Sequence, residues 1–109
     1  MEVLYKSKTL QNFLENGERL VGQFGLNAFR IMQRLSELES SDTLDDFNSL
    51  PMSKCSISER AQELKFMILI SENLRLIFET QKESLKKNAE GDIDWSRITS
   101  IRILGIRES

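Results

Sequence analysis

The chain contains no histidine, which removes Ser-His-Asp triads, histidine-based zinc sites and a histidine general base from consideration. Cysteine occurs once, as Cys55. There is therefore no disulfide framework and no thiolate metal cluster, a reducing cytosol is the expected compartment, and a buried structural role is expected for the thiol. No glycine-rich phosphate loop is present, because Gly22 and Gly25 stand in a helical pattern rather than after a strand. Long apolar runs are missing too. The longest, Phe66 to Ile70, falls far below the ~20 residues that span a bilayer, and Met1 to Leu10 alternates apolar with polar residues, unlike a signal peptide.

What remains is the composition of an ordinary globular protein, with 109 residues of which 39% are hydrophobic and 29% charged, read here as one domain over 1–109. The net charge of −2 argues against a protein that coats nucleic acid by charge alone. The charge is unevenly spread. Residues 1–49 hold five Lys/Arg against eight Asp/Glu, and residues 50–109 hold ten against nine, so an anion site is expected in the second half.

Glu2 to Tyr5 reads as a short strand. Thr9 caps a short helix with an apolar face of Leu10, Phe13 and Leu14, which Asn16-Gly17 ends. Leu20, Phe24, Ala28, Ile31, Leu35 and Leu38 recur at three- and four-residue steps, predicting one long second helix with Arg19, Arg30, Arg34 and Glu37 on its opposite side. Gly22 and Gly25 inside it suggest close backbone approach. Thr43 to Asn48 adds a helical turn, and Met52 to Lys65, polar and without period, reads as a loop. The pattern then becomes that of strands: a hairpin of Phe66–Ile70 and Leu74–Glu79, an excursion over Gln81–Arg97, and a last strand over Ile98–Ile106. This order predicts an α+β fold, with an N-terminal strand and two helices packed on one face of a mainly antiparallel sheet whose other face is partly open.

Arg75 stands out in that scheme. Leu74, Leu76 and Phe78 share one side of their strand, while Arg75, Ile77 and Glu79 share the other, which directs a permanently charged guanidinium to the open face. Two roles fit: pairing with Glu79 or Glu63 along the surface, or gripping a phosphodiester with its planar fork of donors. On the last strand, strict alternation puts Arg107 with Ile101 and Ile103 and Arg102 on the opposite side. At most one of the two then lines a groove, and Arg107 is preferred. Trp95 reads as core packing, and "SLKKNAEGD" as a solvated loop.

Three segments carry a family likeness: "LPMSKCS", then "NLRLIFE", then "IDWSRITSIRILGI". In order and spacing they resemble the RelE/HigB-type toxins of bacterial type II toxin–antitoxin systems, most closely the HigB-like plasmid maintenance killer branch. The likeness is specific over Leu50 to Ile106 and loose over residues 1–50. It implies a RelE-like fold whose open concave sheet face cuts messenger RNA in the ribosomal A site, the ribose 2′-hydroxyl attacking the adjacent phosphate. Arg75 corresponds to the family's strand arginine. Where the family commonly has a histidine after the cysteine, and an acid-Tyr-His ending, this chain has Ser56, then Glu108 and Ser109.

The implied site is therefore Arg75 on the phosphate, Arg107 assisting and Glu108 as base if it faces Arg75, with Lys54, Arg60 and Lys65 binding RNA and no metal or cofactor. The implied partners are a helix-turn-helix, HigA-like antitoxin, with which an oligomer is expected, together with the ribosome and mRNA. An exposed remainder of the long helix's apolar stripe could receive an antitoxin segment. Two alternatives stand beside this: a catalytically degenerate relative acting only through partner binding, and a ParE-like gyrase poison.

Overall fold

The computed structural model describes residues 1–51, 55–60, 63–81 and 87–108, with only the backbone described at 58–60 and 63–64. Strand β1 (Glu2–Tyr5) leads into four helices, α1 (Lys8–Leu14), α2 (Gly17–Phe24), α3 (Asn27–Ser40) and α4 (Leu44–Asn48). Strands β2 (Cys55–Arg60), β3 (Glu63–Ser71) and β4 (Leu74–Glu79) follow, then a 3-10 turn at Trp95–Arg97 and β5 (Ser100–Glu108). The fold is α+β. Its five strands form one sheet in the order β1-β5-β4-β3-β2, in which only the β1–β5 pairing is parallel.

The starts of α1, α2 and α4 are set by short polar caps. Ser7 Oγ accepts from the Leu10 amide at 3.1 Å, Asn16 Oδ1 from Arg19 at 3.2 Å and Thr43 Oγ1 from Asp46 at 3.1 Å. Each cap satisfies an amide the helix leaves unpaired, a contribution of about 1 kcal/mol. Ser7 is thus the first cap rather than Thr9, and Asn16 opens α2 instead of closing α1. The expected long helix is two helices. Gly25 caps the end of α2 at φ 60°, a left-handed backbone that turns the chain before α3 begins. The apolar period survives the break, which is why the sequence reads through it. Nothing lies within 4 Å of a Cβ built on Gly22 or Gly25, so close approach does not account for either glycine.

All four helices lie over one face. Leu20, Ala28, Ile31, Leu35 and Leu38 meet Phe66, Ile68, Leu76, Phe78, Ile101 and Ile103 from the sheet in a single apolar cluster. Phe66 stacks on Phe78 with ring centroids 5.3 Å apart, and Trp95 meets Phe66 edge-on at 5.4 Å, the packing role expected of it. Arg34 departs from its expected solvent side. It lies on the shoulder of the α3 stripe, buried, with Nη1 3.0 Å from Glu37 Oε2. Arg30 stays exposed as expected, and its Nη1 donates to the Ile70 carbonyl at 3.1 Å.

The segment expected to be a loop contains β2, which pairs with β3 from Cys55↔Ile68 to Arg60↔Glu63. An edge strand needs apolar residues on only one face. Cys55 and Ile57 supply them opposite Ile68 and Phe66, while Ser56 lies opposite Met67 on the other face.

Strand β5 carries the irregularity that matters most for the open face. Arg75↔Arg107, Leu76↔Ile106 and Ile77↔Gly105 are in register, but the next pair is Phe78↔Ile103, so Leu104 is an extra residue. This is a β-bulge, and Gly105 carries it at φ 150°, where an L side chain would be strained.

Candidate functional site

Because β3, β4 and β5 alternate, everything the core does not take is presented on the face without helices. Arg75, Ile77 and Glu79 project there from β4, and Lys65 from β3. The bulge changes what β5 contributes. Before it, Ile101 and Ile103 feed the core and Arg102 faces outward; after it, Arg107 also faces outward, directly opposite Arg75. The expectation that only one of Arg102 and Arg107 could line a groove is thereby corrected, since strict alternation holds only in an unbulged strand.

Both arginines line a groove of about 480 Å³, together with Lys6, Lys65 and Glu79, over a floor of Ile77, Leu104, Gly105 and Ile106. Lys6, just past the end of β1, was absent from the sequence-based set. Its position is fixed by its amide, which donates to the Ile103 carbonyl at 2.9 Å. Glu79 is the single carboxylate among the described residues of the lining, and it is already engaged: Arg102 Nε donates to its Oε1 at 2.8 Å, and Arg102 Nη2 donates to the same oxygen.

Arg75 stands beside this groove, partly buried on the open face, and among the described residues it makes no ion pair. The surface pairing considered for it with Glu79 is taken by Arg102. Two guanidiniums thus face each other across adjacent strands at Arg75↔Arg107, where like charges directly opposite cost up to about 1 kcal/mol. An anion held between them would relieve that repulsion and accept from both forks.

The other sequence candidates fare differently. Glu108 pairs with Leu74, a core-facing residue, and so belongs to the helix-side face, away from Arg75. It is not placed to act as a base there. Lys54 lies outside the described residues, and Arg60 is described only in its backbone, at the end of β2. Ser56, exposed opposite Met67, sets a hydroxyl on the open side of β2. The only tyrosine, Tyr5, pairs with core-facing Ile103; burial, then the charges of Glu39 and Glu15, raise its phenol pKa, and it offers no proton to the groove. Among the described residues no group of three His, Cys, Asp or Glu side chains is placed to hold a metal ion, and no helix is long and apolar enough to cross a membrane.

Cys55 packs against the core edge, and burial pushes its thiol up to about 12. Alkylation by iodoacetamide at pH 8 should therefore run at least about a hundredfold slower in the folded protein than in the unfolded chain. The sign of the linked stability follows. As pH rises from 9.0 towards about 12, the unfolded chain releases this proton first, so the stability tied to the neutral thiol falls across that window. Rapid alkylation of the folded chain would contradict the burial of the thiol.

No family model matches the chain, and neither a curated protein nor a solved structure shows significant similarity to it.

Proposed function

We propose that the open sheet face is a phosphodiester-binding surface and that the chain is the toxin of a type II toxin–antitoxin pair with a RelE-like fold, a ribosome-dependent endoribonuclease of mRNA. The observation that carries this reading is the Arg75–Arg107 pair, set with Lys6, Lys65 and Arg102 on a face whose groove, among the described residues, is lined by one carboxylate. Five cations gathered on one side of a chain with net charge −2 form a local field suited to a polyanion. In this reading Arg75 grips the scissile phosphate and stabilises charge growing on its oxygens, Arg107 assists from the neighbouring strand, and Lys65 and Lys6 follow the strand on either side. Transfer through a reducing, cytoplasmic milieu of ribosomes fits the single thiol.

A helix-turn-helix antitoxin is the partner this reading requires. Val21, Leu26 and Phe29 remain exposed around the α2–α3 corner, which supports a partner that covers apolar surface there. Growth arrest on induction, with mRNA ends mapped by primer extension only when ribosomes are present, is the test of the whole proposal; normal growth and uncut message would sink it.

Binding should also carry a measurable electrostatic signature. If all five cations contact phosphates, the logarithm of the association constant for a single-stranded RNA should fall against the logarithm of salt concentration with a slope of about −3.5. A slope near zero would remove the phosphate contacts from the model of binding.

A second reading is favoured by one observation, the turning of Glu108 to the helix side. A surface that holds RNA or a partner without a free base would bind and not cut. Stable complex formation with a neighbouring antitoxin, without toxicity or message cleavage, would select it. Induction of a DNA-damage response without message cleavage would instead select gyrase as the target.

A further inference from the structure

We propose that Glu79 is a built-in occupant of a second phosphate subsite, holding Arg102 until a phosphate of the bound strand displaces it. This rests on the open face being a phosphodiester-binding surface, and it concerns how that face chooses its ligand. Glu79 and Arg102 are direct cross-strand partners, and two donors of one guanidinium converge on Oε1. That is the contact a guanidinium fork makes with a phosphate oxygen, here supplied by the protein's own carboxylate.

The pair is open to exchange. Its side chains are 54% and 27% exposed, so water reaches both groups and the attraction between them is weak. Lys6 lines the same groove, so a phosphate that replaced the carboxylate would have a second cation within the groove to meet.

The spacing separates this subsite from the first. Glu79 lies four residues along β4 from Arg75, about 13 Å at the ordinary strand rise. That exceeds one backbone repeat of a single strand, so the Arg75–Arg107 end and the Arg102 end meet different phosphates. It also disqualifies Glu79 as the base for attack at a phosphate held by Arg75, which needs contact at roughly 3 Å. An isolated phosphate settles between Arg75 and Arg107 and leaves Glu79 in place. A strand long enough to reach both ends gains Arg102 by displacing the carboxylate, and the groove thereby prefers a continuous strand to single phosphates.

The experiment is fluorescence anisotropy with a fluorescein-labelled ten-nucleotide oligouridylate at low salt. It compares the wild-type chain with Glu79→Gln, Glu79→Ala, Arg102→Ala, the Glu79→Gln/Arg102→Ala double variant and Arg75→Ala, each checked by thermal melting. Removing the carboxylate should tighten binding about fivefold when Arg102 is present and less than about twofold when it is absent. Removal of a negative charge from the general field would tighten both backgrounds equally, and that result overturns the proposal, as does unchanged or weaker binding by both Glu79 variants. The inhibition constant of inorganic phosphate should be unchanged by Arg102→Ala, because a single phosphate leaves Glu79 on Arg102; a weaker constant in that variant also overturns it. Wild-type binding that ignores Arg75→Ala removes the underlying reading of the face, whereas binding that needs Arg75 but ignores Glu79 overturns the present inference alone.

Discussion

Replacing Arg75 with alanine should abolish growth arrest and lower message cleavage in a purified translation system by about 10²–10³-fold, the loss typical when one preorganised charge-stabilising donor is removed. The fold should survive. Arg75 lies outside the apolar cluster, and its loss relieves a like-charge pairing with Arg107, so the melting temperature should hold or rise slightly. That separation makes the variant decisive, because a stable protein that has lost activity has lost chemistry. Arg75→Lys refines the result. It keeps the charge but replaces a planar fork by a point donor, and intermediate activity would identify two-oxygen contact as the requirement. Full toxicity in a well-folded Arg75→Ala chain would remove Arg75 from the site.

The largest effect on stability is expected at Phe66. Its ring is fully buried, stacks on Phe78 and receives the edge of Trp95, so it joins β3, β4 and the turn before β5. Phe66→Ala should cost about 3–5 kcal/mol, combining lost transfer energy with the cavity left between two aromatic neighbours. Urea denaturation followed by tryptophan fluorescence measures this directly, since the chain has one tryptophan and it touches the site of change. A loss under about 1 kcal/mol would mean that the cluster collapses around the gap without holding the sheet together.

The two effects mark the two sides of one sheet, and the sequence exposed them unequally. The β3–β4 hairpin was legible because Phe66, Ile68, Leu76 and Phe78 alternate with residues that face outward, and the same alternation put Arg75 on the open side. The edge strand β2 was hidden by its polarity: its core contribution is Cys55 and Ile57, too few to set a visible period beside Ser56, Ser58, Glu59 and Arg60. The break between α2 and α3 was masked because the apolar residues on its two sides stay in helical step, although Gly25 marked the place. Arg34 was misassigned since a residue three beyond Ile31 sits on the edge of the buried stripe, where a long side chain can turn either way.

The site was legible in part. Residue type and position pointed to Arg75 and Arg107, but their direct opposition depends on strand register, which no local pattern encodes. Lys6 is distant in sequence and joins the groove through the parallel pairing of β1 with β5. Glu108 faces away from Arg75 for the same reason that Arg107 faces it, as neighbours on a strand look in opposite directions. The available clue was Gly105, an isolated glycine in a strand-like run, which commonly marks a bulge.

That one extra residue acts as a parity switch. Upstream of Leu104 the odd-numbered positions of β5 point toward the helices, and downstream they point to solvent. The electrostatic character of the uncovered surface is consequently written as a count along the backbone as much as in the choice of side chains. Were Leu104 paired in regular alternation instead of bulged, the Arg107 guanidinium would come round beneath the helices opposite Leu74, where an unpaired charge is expensive to bury, and Arg75 would face Ile106.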